Sequence, residues 1–226
     1  YGEYEPYIER MAKGEENILT RDRVTYFNTT SGSTGKQKLI PVTQKFQNSL
    51  GRANLISIGF LSTALKKRQN HLRKVLLTNS TEISGYTAAG IPYGSGSAGV
   101  LKMGKWVYQQ LFANPYETLQ VSDSLARHYL GLLFALQTAE TGGIAANFPM
   151  LILRTCQYLE QYAESFLNDL EKGTLPSWLT LDAETRFTLE RSFSPCPQRA
   201  KQLREILISQ GRLTPPLAWN NLAYIA

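Results

Sequence analysis

Two cysteines, Cys156 and Cys196, and two histidines, His71 and His128, are all that the 226 residues hold of those two side chains. So small a set excludes a disulfide framework and a four-cysteine zinc site, and leaves little room for a metal centre of any kind. A reducing, cytoplasmic setting is the expectation. Long apolar runs are also missing. The stretches near Leu55–Leu65 and Leu130–Leu136 carry Gly, Ser or Thr, and both fall short of the roughly 20 residues that span a bilayer. No charged-then-apolar leader opens the chain, so no membrane partner is expected. Repeats and low-complexity segments are absent. Charge of one sign is not in large excess: 24 Lys and Arg stand against 18 Asp and Glu, for a net +6. That balance suits an anionic ligand and is too diffuse to demand nucleic acid. The first residue is Tyr1 and the last three are Tyr224-Ile225-Ala226, so both ends read as cut from something longer.

What is present is an alternation of strand and helix patterns, which predicts an α/β fold with more helix than strand. Tyr4, Ile8 and Met11 recur at helical spacing within residues 1–22, and Gly14 ends the run. Val24–Phe27 favours a strand, and Asn28–Gly35 is loop chemistry throughout. Lys38-Leu39-Ile40 is a second short apolar run closed by Pro41. Thr43 is placed to cap a long helix reaching about Arg68, with Phe46, Leu50, Ala53, Ile56 and Phe60 on one face. Lys74–Thr78 reads as a buried strand. Residues 80–104 hold six glycines, from Gly85 to Gly104, and are either a functional loop or a set of short strands and turns. Ser122 is the expected cap of an apolar helix through Leu136. Gly142–Asn147 reads as a turn and short strand. One long helix is expected from Pro149 to Glu171 with Gly173 past its end. Asp182 caps another, and Pro197 opens a last one ending near Gly211.

Chemistry is concentrated in Thr29-Thr30-Ser31-Gly32-Ser33-Thr34-Gly35-Lys36-Gln37-Lys38. Glycines let backbone N–H groups converge on an anion. Thr29, Thr30, Ser31, Ser33 and Thr34 add hydroxyl donors, and Lys36 and Lys38 add positive charge. A triphosphate suits that density of donors. The segment is not a Walker A loop, because Gln37 follows Gly35-Lys36 and Thr30 stands five positions before Gly35. Nor does it follow the dinucleotide glycine pattern. An ordinary hairpin loop uses the same residue types; their order is what distinguishes this one.

That order, in Thr30, Ser31, Gly32, Ser33, Thr34, Gly35 and Lys38, resembles the phosphate loop of the adenylate-forming superfamily. Tyr4-Glu5-Pro6-Tyr7-Ile8-Glu9-Arg10 upstream and Lys38–Thr43 downstream narrow the resemblance to the auxin-responsive acyl acid–amido synthetases, which include bacterial-type relatives. Gly90-Ile91-Pro92, Ala126-Arg127-His128-Tyr129 and Gly143-Ile144-Ala145 are similar in kind and order. The chain departs from the superfamily at Gln37, where proline is usual. The resemblance implies that residues 1–226 are a single incomplete domain, the front part of the large domain of an adenylate-forming enzyme, with β-sheets flanked by helices. The phosphate loop would lie at 29–38, and the C-terminal mobile domain would be absent.

The implied reaction activates a carboxylic acid with ATP to an acyl adenylate and then conjugates it to an amino acid. ATP and Mg²⁺ are the implied cofactors, with Thr30–Gly35 and Lys38 on the β- and γ-phosphates. The adenine, ribose and metal ligands, and the catalytic residues, would lie outside this chain. Small carboxylic and amino acids are the implied partners. Leu55, Ile56, Gly59 and Phe60, with the Gly85–Gly99 segment, are candidate walls of the acyl pocket, and ordinary core is the competing reading. A non-catalytic nucleotide-binding or scaffold relative, and a general acyl-CoA synthetase-like ligase, are the alternatives.

Other features have plainer readings. Lys66-Lys67-Arg68 suits a solvated helix C-terminus. His128 lies near Ser122 and Asp123, but no Gly-x-Ser-x-Gly elbow accompanies them. Cys156 reads as a small buried hydrophobe, Cys196 between two prolines has no base partner in sequence, and Tyr158, Tyr162 and Phe166 read as core.

Overall fold

The computed structural model of the chain describes residues 1–30, 37–97 and 105–226. The fold is α/β, and its backbone divides into two compact units, Tyr1–Ala64 with Ser80–Met103 and Leu65–Asn79 with Gly104–Ala226.

In the first unit, helix α1 (Glu5–Ala12) begins with proline in its first turn, where the missing N–H costs no hydrogen bond. Its buried Ile8 and Met11 pack on Phe27, with Val24, Leu39, Ile91 and Tyr93 around them. Gly14, at φ +93°, makes the turn that frees the chain from the helix. Strands β1 (Val24–Thr29) and β2 (Leu39–Thr43) pair antiparallel, Thr29 opposite Leu39. β2 passes through Pro41 rather than stopping before it, which an outermost strand tolerates. Helix α2 (Gln44–Lys67) follows, and the Thr43 hydroxyl accepts from the Phe46 amide at 3.2 Å, as its capping role predicts.

The glycine-rich stretch holds two short strands, β4 (Ile83–Tyr86) and β5 (Pro92–Gly94). The sheet order is β2-β1-β5-β4, with β1 and β5 parallel and β5 and β4 antiparallel. Gly94 is required by close approach: a Cβ there would stand 2.7 Å from both the Glu82 carbonyl oxygen and the Tyr26 hydroxyl.

The second unit is built on a parallel sheet, β3 (Lys74–Leu77), β6 (Thr141–Ala145) and β7 (Tyr224–Ile225), in that order. Short helices α3 (Lys105–Leu111) and α4 (Tyr116–Gln120) were not anticipated. Helix α5 (Ser124–Leu136) is the centre of the core, with Leu130, Leu132, Leu133 and Leu136 fully buried. Its cap is Asp123, not Ser122: the Asp123 carboxylate accepts from the Ala126 amide at 2.7 Å, and an ionised acceptor favours the positive helix end.

The helix expected over Pro149–Glu171 is two helices, α6 (Pro149–Gln161) and α7 (Ala163–Lys172). Tyr162 between them leaves helical geometry at φ −106°, ψ 19°. Its ring stacks on Trp178 and meets Tyr129 edge-on. Gly173 closes α7 in the left-handed region at φ +70°. α8 (Ala183–Ser192) is capped by Asp182 as expected, at 2.8 Å to the Thr185 amide. α9 (Pro197–Gln210) ends at Gly211, φ +69°. It is not the last element, for α10 (Pro215–Ala218) and β7 follow. Trp219 beyond α10 is wholly buried, and its indole N–H reaches the carbonyls of Ala135 and Thr138 at 3.2 and 3.1 Å. Among the described residues no helix is long and apolar enough to cross a membrane.

Candidate functional site

The hairpin β1–β2 positions the loop singled out in the sequence. Asn28 and Thr29, expected in the loop, belong to β1. Of the seven candidate phosphate-binding residues, Ser31, Gly32, Ser33, Thr34 and Gly35 lie outside the described residues. Thr30 and Lys38 are described, and they face each other at the loop's base. The Thr30 amide donates to the Lys38 carbonyl at 3.1 Å, and the Lys38 amide donates to the Thr30 hydroxyl at 3.4 Å. Two bonds across one rung fix where the loop leaves the sheet and where it returns.

The base is tied into the sheet on its other side. The Thr29 hydroxyl donates to the Gly94 carbonyl of β5 at 3.0 Å and the Tyr26 hydroxyl to the Ser95 carbonyl just past β5 at 3.1 Å. Ser95 in turn donates to the Ser80 carbonyl at 2.6 Å. β1 is therefore held by side chains as well as by the ladder.

Two residues near the base were missed in the sequence. Asn28 carries a side-chain oxygen that is buried without a hydrogen-bond partner among the described residues. A buried orphan of this kind calls for an explanation, and turning the amide would offer its NH₂ in the same place. The available signal is that asparagine is depleted in strands yet stands here in β1 one residue before Thr29. The other is Tyr1. Its hydroxyl donates to the Leu39 carbonyl and accepts from the Leu39 amide, each at 3.1 Å, and the Lys38 ammonium lies 5.2 Å from its ring centroid.

The acyl-wall candidates are placed differently from an ordinary core. Leu55 is 69% exposed, Ile56 62% and Phe60 74%, and a Cβ on Gly59 would meet nothing within 4 Å. The apolar face of α2 is therefore uncovered in this chain.

In the second unit, Asn79 and Asn147 follow the carboxyl ends of the adjacent parallel strands β3 and β6. The Asn79 amide donates to the Asn147 side-chain oxygen at 3.1 Å, and the Asn147 backbone amide donates to the Asn79 side-chain oxygen at 2.8 Å. This clamp sits on the edge of a parallel sheet where ligands usually bind. His128 is buried, its Nδ1 2.7 Å from the Ser124 carbonyl and its ring edge-on to Tyr158. Asp123, near it in sequence, accepts from the Ala126 amide at the start of α5. Cys156 is half-buried, and burial pushes its thiol upward, away from nucleophile behaviour. No group of three or more His, Cys, Asp or Glu gathers among the described residues.

Residues 1–226 match the GH3 family N-terminal domain. The indole-3-acetic acid-amido synthetase GH3.17 of Arabidopsis thaliana is 24% identical over 201 residues, covering 80% of this chain and 30% of that protein. The probable indole-3-acetic acid-amido synthetase GH3.11 of Oryza sativa subsp. japonica is 28% identical over 237 residues, covering 100% of this chain and 39% of that one. Among solved structures, the AtGH3.15 acyl acid amido synthetase in complex with 2,4-DB superposes with a TM-score of 0.78 at 22% identity, covering 100% of this chain and 40% of its own. The chain thus spans well under half the length of the relatives it matches. With the family match running from the first residue to the last, the chain belongs to the GH3 family, whose N-terminal domain it carries.

Proposed function

We propose that the β1–β2 hairpin holds the β- and γ-phosphates of ATP and that the protein joins carboxylic acids to amino acids through acyl adenylates. The observation that carries this reading is the doubly bonded Thr30–Lys38 rung. It gathers the two ends of a Ser-, Thr- and Gly-rich segment, with Lys38 at one of them. The amido synthetase activity of the relatives named above supports it.

In the first step a substrate carboxylate oxygen attacks the α-phosphorus of ATP, the bond to the bridging oxygen breaks, and pyrophosphate leaves. No proton need move, so charge neutralisation dominates the barrier. Lys38 supplies a cation and Thr30–Gly35 supply hydroxyl and N–H donors to the departing phosphates. In the second step the amino acid's amine attacks the acyl carbon, AMP leaves, and the amine gives up a proton to solvent or buffer. Mg²⁺ would neutralise further phosphate charge, but the described residues offer it no cluster of ligands. Small acids and amino acids are the substrates in this reading, and a cytoplasmic location is part of it.

The test is ATP–pyrophosphate exchange by the complete protein across a panel of carboxylic acids. Exchange that depends on the added acid supports adenylation. ATP binding without any acid-dependent exchange would assign the protein to the non-catalytic alternative, and product formation only with coenzyme A to the acyl-CoA synthetase-like one.

A further inference from the structure

We propose that the second unit carries a binding site for an aromatic carboxylate, in a cavity bounded by the first residue of β3, the segment joining α3 to α4, and the second half of α8. The cavity measures about 680 Å³, within the range that small-molecule sites occupy. Phe112, Phe134 and Phe187 give it apolar surface, and Lys74 and Arg191 give it positive charge. All of its lining residues belong to this one unit. None is a candidate phosphate-loop residue, so the inference does not depend on the ATP reading.

The wall is built before any ligand arrives. Phe112 lies alongside β3 through a parallel bridge to Val75, and the Ala113 amide donates to the Val75 carbonyl at 2.9 Å. The buried Asn114 side chain accepts from the Leu77 amide and donates to the Leu77 carbonyl, each at 3.1 Å, and donates to the Thr118 hydroxyl at 2.8 Å. Those bonds satisfy the side-chain amide and pin the segment from Phe112 to Pro115 against the sheet. Phe134 is buried on α5 and meets Phe193 edge-on, 5.1 Å between centroids.

Phe187 is the exception among these rings, being 61% exposed. The Arg191 guanidinium, one helical turn on, lies over it, 5.5 Å from the ring centroid. A guanidinium resting on a ring keeps N–H donors free, and their fork matches a carboxylate. Neither Arg191 nor Lys74 has an ion-pair partner among the described residues: Glu190, next to Arg191 in sequence, pairs with Arg186, and Glu140 pairs with Arg73, next to Lys74. Glu117 is the one carboxylate of the lining, and it stands in the first turn of α4, where negative charge suits a helix N-terminus. Two cations against one carboxylate leave the cavity positive. A polyanion would set most of its charge against phenyl rings, and a neutral aromatic would leave both cations unused. A flat apolar body with a single carboxylate uses both surfaces.

The experiment uses the complete protein and 4-benzoylbenzoate, an aromatic carboxylate that inserts into nearby C–H bonds on irradiation, with the adducts located by peptide mass spectrometry. The expected result is saturable labelling of residues 109–117 and 183–192, suppressed by excess 2-naphthoate. The half-saturating concentration should rise about three- to tenfold in Arg191→Gln, which loses a charge-assisted contact, and about threefold in Phe187→Ala, which loses the ring face. Both side chains are exposed, so thermal midpoints should stay at the wild-type value. The neutral 4-methylbenzophenone should label the same segments only weakly. Adducts confined to other parts of the protein overturn the inference. So does equal labelling of these segments by the neutral probe, and so does a half-saturating concentration unchanged in Arg191→Gln.

Discussion

The phenol of Tyr129 on α5 donates to the carboxylate of Asp169 on α7 across 2.6 Å. The pair lies beside a stacked Phe166 ring, whose centroid is 4.2 Å from that of Tyr129. Burial raises the Asp169 carboxyl above its ordinary value, against the opposing effects of the Tyr129 hydrogen bond and Lys172. Removing the donor in Tyr129→Phe leaves that carboxylate poorly solvated. The expected cost is about 1–2 kcal/mol, read as a lower urea midpoint at neutral pH. Asp169→Asn keeps an acceptor for the phenol and should cost less. If both variants unfold with the wild type, the bond carries no stability.

His128 gives a pH dependence whose sign follows from its surroundings. Burial lowers its pKa from 6.5, and Arg127 and Arg154 push the same way, while the Ser124 carbonyl opposes them. The unfolded chain therefore takes up this proton first as pH falls. The stability linked to a neutral His128 is complete above about pH 6.5 and is lost below it, toward the lower native value. His128→Gln should flatten that part of the stability–pH curve, measured by denaturant midpoints between neutral pH and pH 5. A slope that survives the substitution belongs to another group.

Lys38→Ala in the complete protein should slow acid-dependent ATP–pyrophosphate exchange by about tenfold or more, the loss of one charge-assisted contact. Lys38→Arg should retain part of the rate. An unchanged rate in Lys38→Ala removes Lys38 from the phosphate site.

Two glycines separate crowding from backbone strain. Gly94→Ala drives a Cβ against the Glu82 carbonyl and the Tyr26 hydroxyl, at 2.7 Å each. It should cost about 1–3 kcal/mol by overpacking and loosen the strand that anchors Thr29. Gly211→Ala meets nothing within 4 Å. Its expected cost of about 1 kcal/mol comes from φ +69° alone. Thermal midpoints of the two variants against wild type check the order.

Local chemistry made much of the fold legible before any coordinates. Thr43, Asp182, Gly173 and Gly211 act through their immediate neighbours, and each stands where its residue type predicts. The boundary at Tyr162 was not legible, because neither glycine nor proline marks it; the aromatic cluster with Tyr129 and Trp178 accompanies it instead. The choice of Asp123 over Ser122 as a cap turns on one residue of register. For α2, spacing predicted an apolar face correctly but could not say whether anything covers it, and Leu55, Ile56 and Phe60 are exposed. At the candidate site, residue order singles out 29–38, of which 31–36 lie outside the described residues. The Tyr1 contact was not legible, since 37 positions separate it from Lys38 and only the fold brings them together.

The end of α5 has a further consequence. Its last carbonyls are finished by side chains far downstream: Arg199 reaches Leu136, and the Trp219 indole reaches Ala135 and Thr138. The Ala135 carbonyl also accepts from the nearby Thr138 amide, but the Arg199 and Trp219 contacts come from 63 and 84 positions further along the chain. The end of this central helix is thus closed by distant parts of the chain, so truncation before Trp219 would remove the indole donor from the Ala135 and Thr138 carbonyls.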